Sequence, residues 1–136
     1  MRIALVHFLQ DDNKKHKEIL KKLEQTAVAQ GHMVDVFSAY KDSYNIRLTG
    51  YEYVALVTAS SVLFGSKIPD KVKEVLSASG TINGKKGAAL VVKSGFSSNK
   101  TCSVLMKAME REGMVIDYFE VIISADHAAY VGKKIG

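Results

Sequence analysis

The 136-residue chain contains one cysteine, one proline and no tryptophan, and no apolar run approaches the roughly 18 residues of a membrane-spanning helix. A lone Cys102 can form neither an internal disulfide nor a cysteine-only metal cluster, which points to a reducing, cytoplasmic setting. The scarcity of proline, with only ten glycines, excludes a collagenous or low-complexity polypeptide. His7, His16, His32 and His127 show no metal-ligand spacing. No serine sits in a Gly-x-Ser-x-Gly elbow, so no hydrolytic triad is readable. The apolar stretch after Met1-Arg2 ends at Phe8 and reads as neither a spanning helix nor a signal sequence.

What is present suits a globular domain: hydrophobic residues make up 47% of the chain against 24% charged. The length predicts a single domain over residues 1–136, in which folding buries roughly 68% of the extended surface. The net charge of +5 comes from 19 basic and 14 acidic side chains, and Lys14, Lys15, Lys17, Lys21 and Lys22 crowd into one segment. Such a run can attract a phosphate or an acidic partner, but lysines on the outer face of an amphipathic helix are commonly just solvated. It lacks the interleaved aromatics of a nucleic-acid surface, and no membrane partner is expected.

Residues 3–8, 54–57, 88–92 and 121–123 are nearly continuous in apolar character. A strand with one wet face would alternate, so these predict strands covered on both faces, as in a parallel sheet between helices. Residues 33–37 alternate and suit a strand near an edge. His16, Ile19, Leu20, Leu23 and Ala27 recur at helical spacing, with Asp11, Asp12 and Asn13 as capping candidates and Gly31 as the stop. A second helix is expected from Pro69-Asp70 to about Ser79-Gly80. A third opens at Ser97-Ser98-Asn99, carries Cys102, Leu105, Met106 and Met109 on its buried face, and ends at Gly113. The order of elements predicts an α/β three-layer sandwich with right-handed crossovers. Ligands of such sheets sit beyond the carboxyl ends of the strands, here at residues 9–13, 60–67, 94–99 and 124–127.

The stretch from Tyr51-Glu52-Tyr53 through Thr58-Ala59-Ser60-Ser61 and Phe64-Gly65 to Ile68-Pro69 resembles the third strand and following loop of flavodoxins and the related NAD(P)H-dependent FMN reductases. Gly84-Lys85-Lys86-Gly87, residues 88–92 and Lys93-Ser94-Gly95-Phe96 are similar to that family's fourth strand and its loop. The resemblance covers residues 1 to about 124. It implies a five-stranded parallel sheet of order 2-1-3-4-5, with FMN at the carboxyl edge and a redox partner as protein partner. The cofactor-binding residues it implies are Gln10, Asn13 and Lys14 in the first loop, Ser60, Ser61, Phe64 and Gly65 in the second, and Ser94, Gly95, Phe96 and Ser97 in the third. Phe64 and Phe96 occupy positions from which such proteins meet the flavin ring, or else simply cover the sheet ends.

The first loop departs from the family. Flavodoxins surround the flavin phosphate with serine, threonine and glycine at the helix N-terminus. This chain has Phe8-Leu9-Gln10-Asp11-Asp12-Asn13, with no glycine, no hydroxyl and two carboxylates where a dianion should go. Two like charges 4 Å apart cost roughly 1 kcal/mol in water and about 4 kcal/mol at an intermediate dielectric. Residues 94–101 offer a glycine and four hydroxyls before a helix start, either as an anion site or as ordinary turn and capping residues. Asp11 and Asp12 also resemble the acidic pair of response-regulator receivers, but Thr58-Ala59-Ser60 and Ser124-Ala125-Asp126 lack the phosphoacceptor and the lysine that such a domain needs.

Only residues 125–136 follow the fifth strand, so the last helix is expected to be short or missing and one sheet face under-covered. Tyr130, Val131 and Ile135 are candidates to pack there, a second subunit can complete the layer, and a longer natural chain would serve equally. Two functions remain: FMN-binding electron transfer or NAD(P)H-dependent flavin reduction, and a flavin-free module of the same fold acting in interaction or regulation.

Overall fold

A computed structural model describes residues 1–10, 12–42, 45–60, 67–95 and 97–136. The elements follow one another as β1 (Arg2–His7), α1 (Lys14–Ala29), β2 (Met33–Ser38), β3 (Tyr53–Ala59), α2 (Asp70–Ala78), β4 (Lys86–Val92), α3 (Ser98–Arg111), β5 (Val115–Ile122) and α4 (Ala125–Gly132). The five strands form one sheet in the order β2-β1-β3-β4-β5, and every neighbouring pair is parallel. β1, β3 and β4 are buried along almost their whole length, as their unbroken apolar runs require. β2 alternates and lies at an edge, as its sequence predicts.

The sheet separates two apolar clusters. On one side Ile19, Leu23 and Ala27 of α1 and Ala128 and Val131 of α4 pack on Ile3, Leu5, Ala55, Val57, Ala88 and Leu90. On the other, Val72, Val75 and Leu76 of α2 and Leu105 and Met109 of α3 pack on Ala4, Val6, Val54, Leu56, Ala89 and Val91. Between β2 and β3 the chain forms no helix among its described residues; Ile46, Leu48 and Tyr51 from this connection are buried against the second cluster. Lys85 holds the connection down by donating to the carbonyl oxygens of Thr49 at 2.9 Å and Tyr51 at 2.5 Å.

Three expectations need correction. The face carrying α1 is covered: α4 is short but present, and Val131 and Ile135 are buried in its cluster. Tyr130 does not join that packing and is half exposed. The last strand is longer than residues 121–123 and is not covered on both faces; β5 lies at the sheet edge with Val115, Phe119 and Ile123 beside or on it exposed. Its register with β4 shifts at Gly87/Ala88. Asp117, at that irregularity, accepts a 2.6 Å hydrogen bond from the Tyr53 hydroxyl, and burial together with this carboxylate pushes the Tyr53 phenol well above its ordinary range.

Candidate functional site at the carboxyl rim

β1 and β3 are neighbours, yet the chain leaves β1 for β2 on one side and reaches β3 on the other. Strand order reverses between them, and in open α/β sheets the crevice outside the carboxyl ends at this point is where ligands bind. The carboxyl ends of β1, β3 and β4 come together on this rim because the strands are parallel and in register: His7 lies opposite Val57, and Ala59 opposite Val92.

The β3 and β4 ends are joined by three serines. The Ser60 hydroxyl donates to the Ser94 carbonyl at 2.6 Å, accepts from the Ser94 N–H at 2.8 Å, and lies 2.9 Å from the Ser98 hydroxyl. With Ser98 as donor, Ser60 uses its one proton and both lone pairs inside the protein. Both side chains are buried. Thr101 is also buried, and its hydroxyl donates to the Ser97 carbonyl at 3.0 Å. Of the four hydroxyls proposed for an anion site in this segment, those of Ser98 and Thr101 therefore build the loop, consistent with the turn-and-cap reading. Ser97 occupies the N-cap position of α3 without a side-chain cap bond. Gly95 takes φ +75°, a conformation open to glycine and costly for other residues.

The β1–α1 loop is built differently. Phe8 and Leu9 are buried, Phe8 donating its N–H to the Val57 carbonyl at 2.8 Å and Leu9 its N–H to His7 Nδ1 at 3.3 Å. Asn13 is the N-cap of α1, and its side-chain oxygen accepts the His16 N–H at 3.1 Å. That contact fills the position where a helix N-terminus would otherwise hold an anion. Gln10, Asp12, Lys14 and Lys15 are exposed around it.

The structure thus brings Ser60 and Ser94 together, and sets Gln10, Asn13 and Lys14 on a separate loop; among the described residues no hydrogen bond joins the two groups. Ser61, Phe64, Gly65 and Phe96, like Asp11, lie outside the described residues. Sequence reasoning placed Ser98 in the rim loop but did not foresee its partner, since that role depends on meeting Ser60 from 38 positions away. It also missed Thr58, whose buried hydroxyl at the end of β3 has no hydrogen-bond partner. Beside the β4–α3 loop, a cavity of about 320 Å³ is lined by Lys93, Gly95, Ser98, Asn99, Val121 and Ile123.

Cys102 is buried under α3, its thiol 3.6 Å from the Ala89 carbonyl, and burial pushes its pKa up to about 11. It is a small core residue, as its helical position predicts. His127 does not approach His7 through any described contact; its Nδ1 accepts the Ile123 N–H at 3.1 Å, its Nε2 lies 3.9 Å from Glu120, and its ring stacks on Tyr130. No group of three or more metal-ligating side chains occurs among the described residues, and no described helix is long and apolar enough to cross a membrane.

The sheet order, the helices on both faces and the short closing helix define a flavodoxin-like fold. The chain is similar along nearly its whole length to a solved flavodoxin from the domain Archaea, with 17% identity, 99% of this chain and 96% of that one covered, and a TM-score of 0.70. Flavodoxin 1 from Bacillus cereus gives 14% identity, 97% and 95% coverage and a TM-score of 0.71. An NAD(P)H:quinone oxidoreductase from Methanothermobacter marburgensis gives 12%, 98% and 95%, and 0.69. No protein-family model matches the sequence, and no curated protein matches it.

Proposed function

We propose that this is a cytoplasmic flavodoxin-like protein that takes FMN at the carboxyl rim and acts in electron transfer or as an NAD(P)H-dependent flavin reductase, with a redox partner or a second copy as its protein partner. The observation that carries the reading is the rim itself: the sheet reverses order between β1 and β3, and a cavity of about 320 Å³ adjoins the β4–α3 loop. The solved flavodoxins that share this fold along the whole chain support it. In this reading the redox chemistry belongs to the flavin, and the protein supplies binding and orientation.

The described residues do not form a phosphate grip of the flavodoxin kind. The α1 N-terminus is capped by Asn13, the exposed Asp12 stands beside it, and the Ser60 and Ser98 hydroxyls are spent on the protein. This same observation favours a second reading, a flavin-free module of the same fold acting in interaction or regulation. Titration of the apo protein with FMN separates the two. Quenched flavin fluorescence and a shifted visible spectrum are expected for the first reading; unchanged signals at high micromolar protein would leave the second.

A further inference from the structure

Away from the rim, α2 and α3 lie side by side on one face of the sheet without closing on each other. Between them is a cavity of about 410 Å³, within the range of small-molecule sites. Lys67, Lys73, Lys107 and Arg111 line it, with Asp70 as its one carboxylate. These cations come from two helices and the segment just before α2, so the tertiary fold, not a run in the sequence, collects them. Among the described residues none of the four forms an ion pair; the nearby Lys71 is matched by Glu74 at 3.1 Å. Lys107 and Arg111 stand one helical turn apart, where like charges repel. Glu110 borders the same end of the groove and pairs with neither. Ile68, Pro69 and Val104 supply an apolar wall.

We propose that this groove binds a small organic polyphosphate of the nucleoside-diphosphate class, its phosphates held by Lys67, Lys73, Lys107 and Arg111. The lining side chains, four cations less Asp70, carry a net +3, and Glu110 at the border lowers this to +2, an excess of positive charge that suits the roughly three negative charges of a nucleoside diphosphate at neutral pH. The guanidinium of Arg111 offers paired donors suited to phosphate oxygens. The concave shape and the apolar wall fit a compact ligand with an uncharged portion better than an extended acidic chain. The site is on the outer surface of the α2–α3 layer and does not depend on flavin at the rim.

Isothermal titration calorimetry on the full chain tests this with ADP, inorganic pyrophosphate, adenosine and a hexaglutamate peptide as probes. Expected are binding of ADP and pyrophosphate but not adenosine, and several-fold weakening when salt rises from about 20 to about 200 mM. The double variant Lys107→Ala/Arg111→Ala, and separately Lys73→Glu, should weaken ADP at least tenfold. The control Lys17→Ala/Lys21→Ala/Lys22→Ala, on the opposite face, should bind within twofold of the parent. All six substituted side chains are exposed, and circular dichroism verifies each variant's fold. The proposal is overturned by no heat with ADP at about 1 mM in low salt, by groove variants that bind as the parent does, by an equal loss in the α1 control, or by hexaglutamate binding as tightly as ADP. FMN fluorescence on the same variants reports the rim independently, so failure at one site is distinguishable from failure at the other.

Discussion

The two faces of the sheet are finished in different ways. On one, α1 and α4 meet almost backbone to backbone: a Cβ added at Gly132 would collide with the Thr26 hydroxyl and come within 2.7 Å of the Leu23 carbonyl. On the other, a nine-residue α2 and Ala39, Ile46, Leu48 and Tyr51 of the β2–β3 connection help α3 to cover the sheet, and α2 and α3 leave a cationic cleft between them. The apolar layers against the sheet are equally well buried on both faces. What differs is the outer layer: a glycine at the crossing lets it close on one side, while on the other long charged side chains line an open cleft. A folding core and a surface for ligands are thus separate properties of one helix layer.

If the inner layers are equivalent, Leu23→Ala on α1 and Leu105→Ala on α3, both fully buried, should each cost about 2–5 kcal/mol in urea unfolding. A loss below about 1 kcal/mol for either would break the equivalence. The outer layers should then separate: Gly132→Ala should cost about 1–3 kcal/mol by overpacking, whereas Val104→Ala at the groove wall should stay below about 1 kcal/mol. Equal costs would mean that the α1–α4 crossing is no tighter than the α2–α3 cleft.

At the rim, Ser60→Ala removes a buried hydroxyl that bonds both the main-chain N–H and the carbonyl of Ser94 and should cost about 1–3 kcal/mol. Loss of the exposed α1 cap in Asn13→Ala should cost about 1 kcal/mol. Differential scanning calorimetry on the pair checks the order, and an Asn13 effect larger than that of Ser60 would reverse the reading of the two loops.

The smallest effect expected is a pH dependence from His16. Burial, helped by the neighbouring Lys15, lowers its pKa from the ordinary 6.5, and its Nδ1 is buried without a hydrogen-bond partner. Below pH 6.5 the unfolded chain takes up a proton that the folded chain resists, so stability falls with pH until the folded imidazole protonates too. His16→Gln should flatten that part of the profile. Urea midpoints at about pH 7.5 and 5.5, compared between parent and variant, check it; identical slopes would remove His16 as the source.

Periodicity carried much of the fold, because unbroken apolar runs at residues 3–8, 54–57 and 88–92 can be buried only between two layers. It misjudged β5, where residues 121–123 look central but lie at the end of an edge strand, since edge position depends on which strands pair and not on composition. The rim was legible as a place and less so as chemistry. Ser60 and Ser94 could be named, but that their hydroxyl and peptide groups satisfy each other depends on a register between distant strands.

Alternation, capping residues and the positions of Gly31, Pro69 and Gly113 were enough by themselves to set the types and order of most elements and the buried faces of α1 and α3, because these are local consequences of backbone geometry and side-chain period. Only the tertiary structure decided that four cations scattered from Lys67 to Arg111 share one groove, that Ser98 closes on Ser60, and that Gly132 lets α4 seat against α1. Each of these is a distance between residues remote in the chain, and such distances exist only once the layers have packed.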